Sequence, residues 1–247
     1  MKKIKILCFL IPHVFNILSA QQSTGTRNIP CPGIPIVKDI DGNIYNTVQI
    51  GSQCWMKENL KVSKYNDGNE IPLDTTGGKL GNGSTEKLWT KFNIGARTIY
   101  GNVLVNLTMY GYLYNYYAVK GVATSGSKNY KNICPTGWHV PKDAEWTILT
   151  NFLGENIAGH EMRIIENTIW NIPGYVAEKS SGFSALPGGY RNDDGTFKNI
   201  KNNASYWSAP DYENDNAWSR TIYYDNNFVY RDNNSETLGA SIRCIRN

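Results

Sequence analysis

The sequence predicts a single loop-rich α+β domain of short antiparallel strands with one or two helices, stapled by two disulfides. Three observations carry that expectation. Short apolar runs, several of them alternating, are separated by turn pairs such as Asp41-Gly42, Asp194-Gly195 and Asn226-Asn227. Only one segment shows clear helical periodicity. Apart from Cys8 the chain has four cysteines, Cys31, Cys54, Cys134 and Cys244. An even number in an exported chain reads as a disulfide framework, although sequence alone permits three pairings.

Export is itself an expectation. Residues 1–5 are basic, residues 6–18 form an apolar run broken by Pro12, His13 and Asn16, and Leu18-Ser19-Ala20 precedes Gln21. This predicts a signal peptide over 1–20, too short and interrupted to span a bilayer, and hence a secreted or cell-surface protein. A lipoprotein would need its cysteine at the cleavage point, where Gln21 stands. Residues 21–36 read as a lead-in and 37–247 as the domain. The formal net charge of +4 comes mostly from the leader: 25 − 3 leaves 22 basic residues against 21 acidic ones. Without a basic stripe, no nucleic-acid partner is expected. No transmembrane segment is expected in the mature chain.

The elements follow in order. Residues 37–40 and 44–50 flank Asp41-Gly42-Asn43 and predict a hairpin; Asp39-x-Asp41-Gly42 lacks the downstream spacing of an EF-hand loop. From 64 to about 108 the pattern weakens into Gly-rich polar sequence, which predicts an exposed insertion. Residues 113–120, ending at Gly121, predict a Tyr-rich helix. A second helix begins after Pro141, with Asp143 and Glu145 in its first turn, Trp146, Leu149, Phe152 and Leu153 as its buried face, and Gly154 as its stop. Residues 159–170 fit a helix or a buried strand. Two further hairpins turn at Asp194-Gly195 and Asn226-Asn227. Residues 240–246 close the fold, with Ile242 and Cys244 on one side by their two-residue period.

The blocks DIDGNIYNTVQIGSQCWMKENLK, GYLYNYYAV, NICPTGWHVPKDAEW, GFSALPGGYR, YWSAP, NDNAW and SIRCIRN together resemble the Fibrobacter succinogenes major paralogous domain, in the order that family shows. The resemblance covers nearly all of the mature chain. It implies an exported domain of cell-envelope and secreted proteins, chiefly of Bacteroidota, with no established activity. More distantly the chain resembles the C-type lectin-like fold and its formylglycine-generating-enzyme branch. That organisation implies pairing of Cys134 with Cys244 and leaves Cys31 with Cys54.

Candidate chemistry is sparse. No catalytic residue is expected: His139 and His160 lack an evident nucleophile and read as capping or packing residues, and no GxSxG elbow occurs. The enzyme alternative, of formylglycine-generating type, would need two reactive thiols. Asp211, Glu213 and Asp215, crowded with Asn214 and Asn216, suit calcium, with a solvated acidic turn as the alternative. Tyr212, Trp218, Arg220 and Tyr230 are the candidate ligand-binding residues, because aromatics interleaved with polar side chains suit recognition surfaces. Against this, Trp55, Trp138, Trp146, Trp207 and Trp218 would serve the core, and Arg191 and Arg220 would pair with turn carboxylates. The expected function is a non-catalytic binding or adhesion module for an extracellular glycan or cell-surface protein. The alternative is a structural subunit of an outer-membrane assembly.

Overall fold

The computed structural model describes residues 28–76, 88–123, 131–164, 168–171, 180–209 and 217–247. The expected signal peptide over 1–20 and the candidate calcium residues Asp211, Glu213 and Asp215 lie outside them, as does Tyr212.

Turn chemistry sets the first three strands, β1 (Ile36–Lys38), β2 (Ile44–Ile50) and β3 (Gln53–Met56). The Asp39 carboxylate accepts the N–H groups of Asp41 and Asn43 at 3.0 and 2.9 Å and the Tyr45 hydroxyl at 2.6 Å, so it is an Asx-turn anchor. There follow β4 (Arg97–Thr98), α1 (Leu104–Tyr110), β5 (Leu113–Tyr114) and α2 (Tyr116–Lys120). Then come β6 (Trp138–His139), α3 (Asp143–Leu153) and α4 (Ala158–Met162). The last third is β7 (Tyr190–Arg191), β8 (Phe197–Lys198), β9 (Asn203–Trp207), β10 (Trp218–Tyr223), β11 (Val229–Asn233) and β12 (Ile245–Arg246).

The main sheet has the order β1-β2-β3-β12-β6, a second has β11-β10-β9, and β4-β5 and β7-β8 are small ladders. Every pairing between these strands is antiparallel. The final strand is therefore interior to the main sheet. The two disulfides are Cys31–Cys54 and Cys134–Cys244. The second fastens the approach to β6 onto the segment entering β12.

Side chains alternate between faces of a strand, and the alternation splits the core in two. Tyr45, Cys54, Met56, Ile242 and Cys244 enter one cluster with Tyr114, Tyr116 and Trp207. Val48, Ile50, Trp55 and Ile245 enter the other with Trp146, Leu149, Phe183, Tyr206 and Ile222. In the second cluster Trp55 lies 4.9 Å from Trp146 and 5.6 Å from Phe183, ring centre to ring centre. Both faces of the main sheet are thus covered.

Three expectations need correction. Residues 113–120 are not one helix: Asn115 breaks the run. Its Oδ1 accepts from Ala118 N–H and from Ala96 N–H, so it caps α2 and holds the segment that enters β4. Phe152 is 62 % exposed, not in the core. Six residues along a helix rotate it about 120° from Trp146, onto the flank, where its ring lies against Gly51. The described part of 64–108 is no external decoration, because Tyr65, Ile71, Trp89 and Ala96 are buried and α1 begins inside it. Its apolar residues are too widely spaced to give a periodic signal. The ambiguous stretch 159–170 is helical through Met162.

That segment is pinned by a buried ion pair. Arg191 Nη1 donates to Asp74 Oδ2 at 2.8 Å, with both side chains almost wholly enclosed. Arg191 also stacks over Trp89 at 4.5 Å and donates through Nη2 to the Thr76 carbonyl. Removing one partner strands the other charge. Asp74→Ala should therefore cost about 3–5 kcal/mol of stability, read from the midpoint of urea unfolding. A second outcome separates the disulfides. Closing loops of 110 and 23 residues constrains the unfolded chain by about 4.8 and about 3.4 kcal/mol in the chain-entropy model. The Cys134→Ser/Cys244→Ser variant should unfold at lower urea than the Cys31→Ser/Cys54→Ser variant.

Candidate functional site

Among the described residues, exposed aromatic rings stand side by side on the β10–β11 hairpin. The register sets Thr221 opposite Tyr230, Arg220 opposite Arg231 and Ser219 opposite Asp232. Residues directly opposite share a face. Tyr223 therefore sides with Tyr230 and Asp232, while Trp218 and Arg220 side with Arg231. On the first face Tyr223 and Tyr230 meet edge to face at 5.3 Å, and Phe228 adds a ring 6.4 Å from Tyr230. Phe228 and Tyr230 are 46 % and 40 % exposed. Burial, and then the nearby Asp232 carboxylate, push the Tyr223 phenol above its ordinary pKa, so it stays a neutral hydrogen-bonding group. β11 is the outer strand of its sheet.

The turn that presents these rings is held rigidly from behind. Arg163, buried at the end of α4, donates through Nη1 to the carbonyls of Tyr223 at 2.6 Å and Asn226 at 2.8 Å. Gly159 N–H donates to Asn227 O at 2.8 Å. A Cβ on Gly159 would stand 2.3 Å from Phe228 O, so only glycine permits this approach. Sequence reading passed over Arg163 and Gly159; a glycine inside a short helix was the available signal. It also passed over Phe228 as a site residue.

On the other face Arg231 lies 3.5 Å over the Trp218 ring. Arg220 is buried and donates to Asp143 Oδ1 at 2.7 Å, which also accepts from Arg231 Nε at 2.9 Å. Asp143, although partly desolvated, is held below the usual carboxylate range by these two guanidinium groups. Of the candidate ligand residues, then, Tyr230 stands on the exposed aromatic face. Trp218 lies under Arg231 on the opposite face, and Arg220 occupies the buried side next to α3. The structure does not bring these three to one surface.

Of the two histidines singled out in the sequence, His139 is held by hydrogen bonds on both ring nitrogens. His139 Nε2 lies 2.9 Å from Glu145 Oε2, and Nδ1 lies 2.6 Å from Asn247 Oδ1. Glu145 also accepts Lys142 N–H at 2.8 Å, which caps α3. The Glu145 hydrogen bond raises the His139 pKa, against burial and with help from Asn247. Burial depresses the pKa of His160 instead. All four cysteines among the described residues are in disulfides. No group of three or more His, Cys, Asp or Glu among the described residues is placed to hold a metal ion. No helix among them is long and apolar enough to cross a membrane.

These features define a disulfide-stapled α+β domain that displays an aromatic hairpin on a rigid support. The chain belongs to the Fibrobacter succinogenes major domain family, whose model matches residues 48–246. No curated protein and no solved structure matches it.

The His139 cluster makes a pH prediction. A histidine whose folded-state pKa is raised stabilises the fold fully below its ordinary value near 6.5, and the gain is lost as pH rises through the folded value. Glu145 is shifted down despite burial, chiefly by His139 and Lys142 N–H. Its contribution is lost only in acid. Glu145→Gln should return the imidazole pKa toward its ordinary value in an NMR titration. It should also reduce the loss of stability as pH rises from the ordinary imidazole value through the raised folded-state value, by about 1 kcal/mol or less, because the pair is partly solvated.

Proposed function

We propose that the chain is a secreted or cell-surface binding module of C-type-lectin-like organisation, which takes a glycan or a protein ligand on its C-terminal hairpin without transforming it. The observation that carries this reading is the exposed ring cluster of Tyr223, Phe228 and Tyr230 on a turn clamped by Arg163 and Gly159. Rigid aromatics flanked by Asn226, Asn227 and Asp232 offer apolar area at low entropic cost beside donors and acceptors. Two disulfides fit an oxidising, extracytoplasmic setting. The lectin-like comparison is supported by β12 entering the same sheet as β1 and β2, and by a disulfide joining the segment before the main helix to the last strand. With all four described cysteines oxidised, a dithiol mechanism has no free thiol among the described residues.

The test is binding of the oxidised protein to a glycan array and to immobilised cell-envelope proteins. Tyr230→Ala should weaken the captured ligand about tenfold or more, ~1.4 kcal/mol, with an unchanged unfolding midpoint. Blank results on both surfaces would remove the proposal.

A further inference from the structure

A second surface shares no residue with the aromatic hairpin. An open cavity of about 510 Å³ lies where the β1–β2 turn, the segment after β3 and the C-terminal half of α1 converge. Asp41 and Asn43 line it from the turn, and Lys61 and Ser63 from the segment. Thr108 and Tyr112 close it from the α1 side, with Leu107 beside them. The volume is within the range of small-molecule sites, about 300–1,000 Å³.

The walls are fixed in advance. Asp41 Oδ2 accepts Ser63 N–H at 2.5 Å, and Asn43 Nδ2 donates to Asp39 Oδ2 at 2.8 Å. Lys61 Nζ donates to Thr108 O at 2.9 Å and so ties the segment to the end of α1. Arg97 stacks on Tyr112 with its guanidinium carbon 4.7 Å from the ring centre, and Tyr114 meets the same ring at 6.0 Å. Arg97 is itself nearly enclosed, with Nε and Nη1 bonding nothing, so its charge is spent on the Tyr112 ring.

That scaffold leaves a set of polar groups without partners among the described residues: the hydroxyls of Ser63, Thr108 and Tyr112 and the Oδ1 of Asn43. The hydroxyls both donate and accept, Asn43 Oδ1 accepts, and the Lys61 ammonium retains further N–H donors. A mixture of donors and acceptors around one aromatic and one aliphatic side chain matches a ligand whose groups also do both. That is the chemistry of a sugar ring, with hydroxyls at its edge and C–H groups on its faces. A peptide would offer fewer hydroxyls to the three that line the cavity. An anion would meet the Asp41 carboxylate. We infer that this cavity is a saccharide-binding site for one or two neutral sugar units, separate from the hairpin surface.

The test uses the oxidised mature protein and a panel of glucose, galactose, mannose, N-acetylglucosamine, cellobiose, lactose and chitobiose. Backbone amide NMR shifts locate the binding, and calorimetry measures it. At least one sugar should move the resonances of residues 41–43, 61–63 and 107–112. Ser63→Ala and Tyr112→Phe, which keep the turn and the Arg97 stack, should each weaken that sugar about tenfold, ~1.4 kcal/mol. Tyr230→Ala should leave it unchanged. The inference is overturned if no sugar moves those resonances, or if shifts fall only on 218–233, a result that would support the hairpin reading alone. Binding of short neutral peptides in the cavity, with no sugar bound there, would overturn it as well.

Discussion

Arg243 carries a positive charge into the centre of the domain, where it is completely enclosed. No carboxylate among the described residues pairs with it. Its Nη1 donates to the Phe183 carbonyl and its Nη2 to Asn59 Oδ1 at 2.5 Å, while its plane lies 4.3 Å from the Phe183 ring and 5.2 Å from that of Tyr206. Burial lowers its pKa, but a guanidinium remains charged at any ordinary pH. An enclosed cation is tolerated only when carbonyls and aromatic faces surround it. Satisfying Arg243 therefore fixes three distant parts of the chain at once: the loop at 183–184, the segment after β3, and β9. The Phe183 ring that covers Arg243 is itself packed on Trp55 and Trp146, at 5.6 and 6.0 Å between ring centres.

The same device recurs through the loops. Arg163 gathers carbonyls of the β10–β11 turn, Arg191 joins Asp74 and Thr76, and Arg220 reaches Asp143. A chain with short strands and small helices leaves many backbone carbonyls outside regular ladders, and buried ones need donors. A guanidinium supplies five N–H groups in a rigid fork and can serve two or three carbonyls together. Arginine here does for the loops what helix hydrogen bonds do elsewhere. It also explains how so little regular structure holds a turn firmly enough to present rings to solvent.

Much of this was legible in the sequence wherever the cause was local. Asp41-Gly42-Asn43 and Asn226-Asn227 announce hairpins because their chemistry is contained within a few residues. Trp146 and Leu149 lie one turn apart on α3 and both turn inward, as their spacing implied. The disulfide partners needed family resemblance, since loop closure alone does not choose among pairings. What stayed hidden depends on separation. Asp74 meets Arg191, and Asn59 meets Arg243, across more than a hundred residues, and no local pattern marks such pairs. The candidate site was half readable. Tyr230 is exposed, but Trp218 and Tyr230 turn to opposite faces because the register sets Trp218 against Asn233 and Thr221 against Tyr230. The cavity beside α1 escaped because its lining comes from three separate stretches, 41–43, 61–63 and 107–112, which only the fold brings together.

The position of β12 has a consequence for how the chain reaches this state. Residues 245 and 246 are wedged between β3 and β6, so the main sheet is not continuous until they arrive. Trp55 of β3 and Trp138 of β6 are joined through this strand, which pairs Ile245 with Trp55 and Arg246 with Trp138. Contacts spanning nearly the whole domain make such closure slow. Assembly of this sheet is thus a joining of distant segments, not a zipping of neighbours, and its pace is set by how far apart along the chain those segments lie.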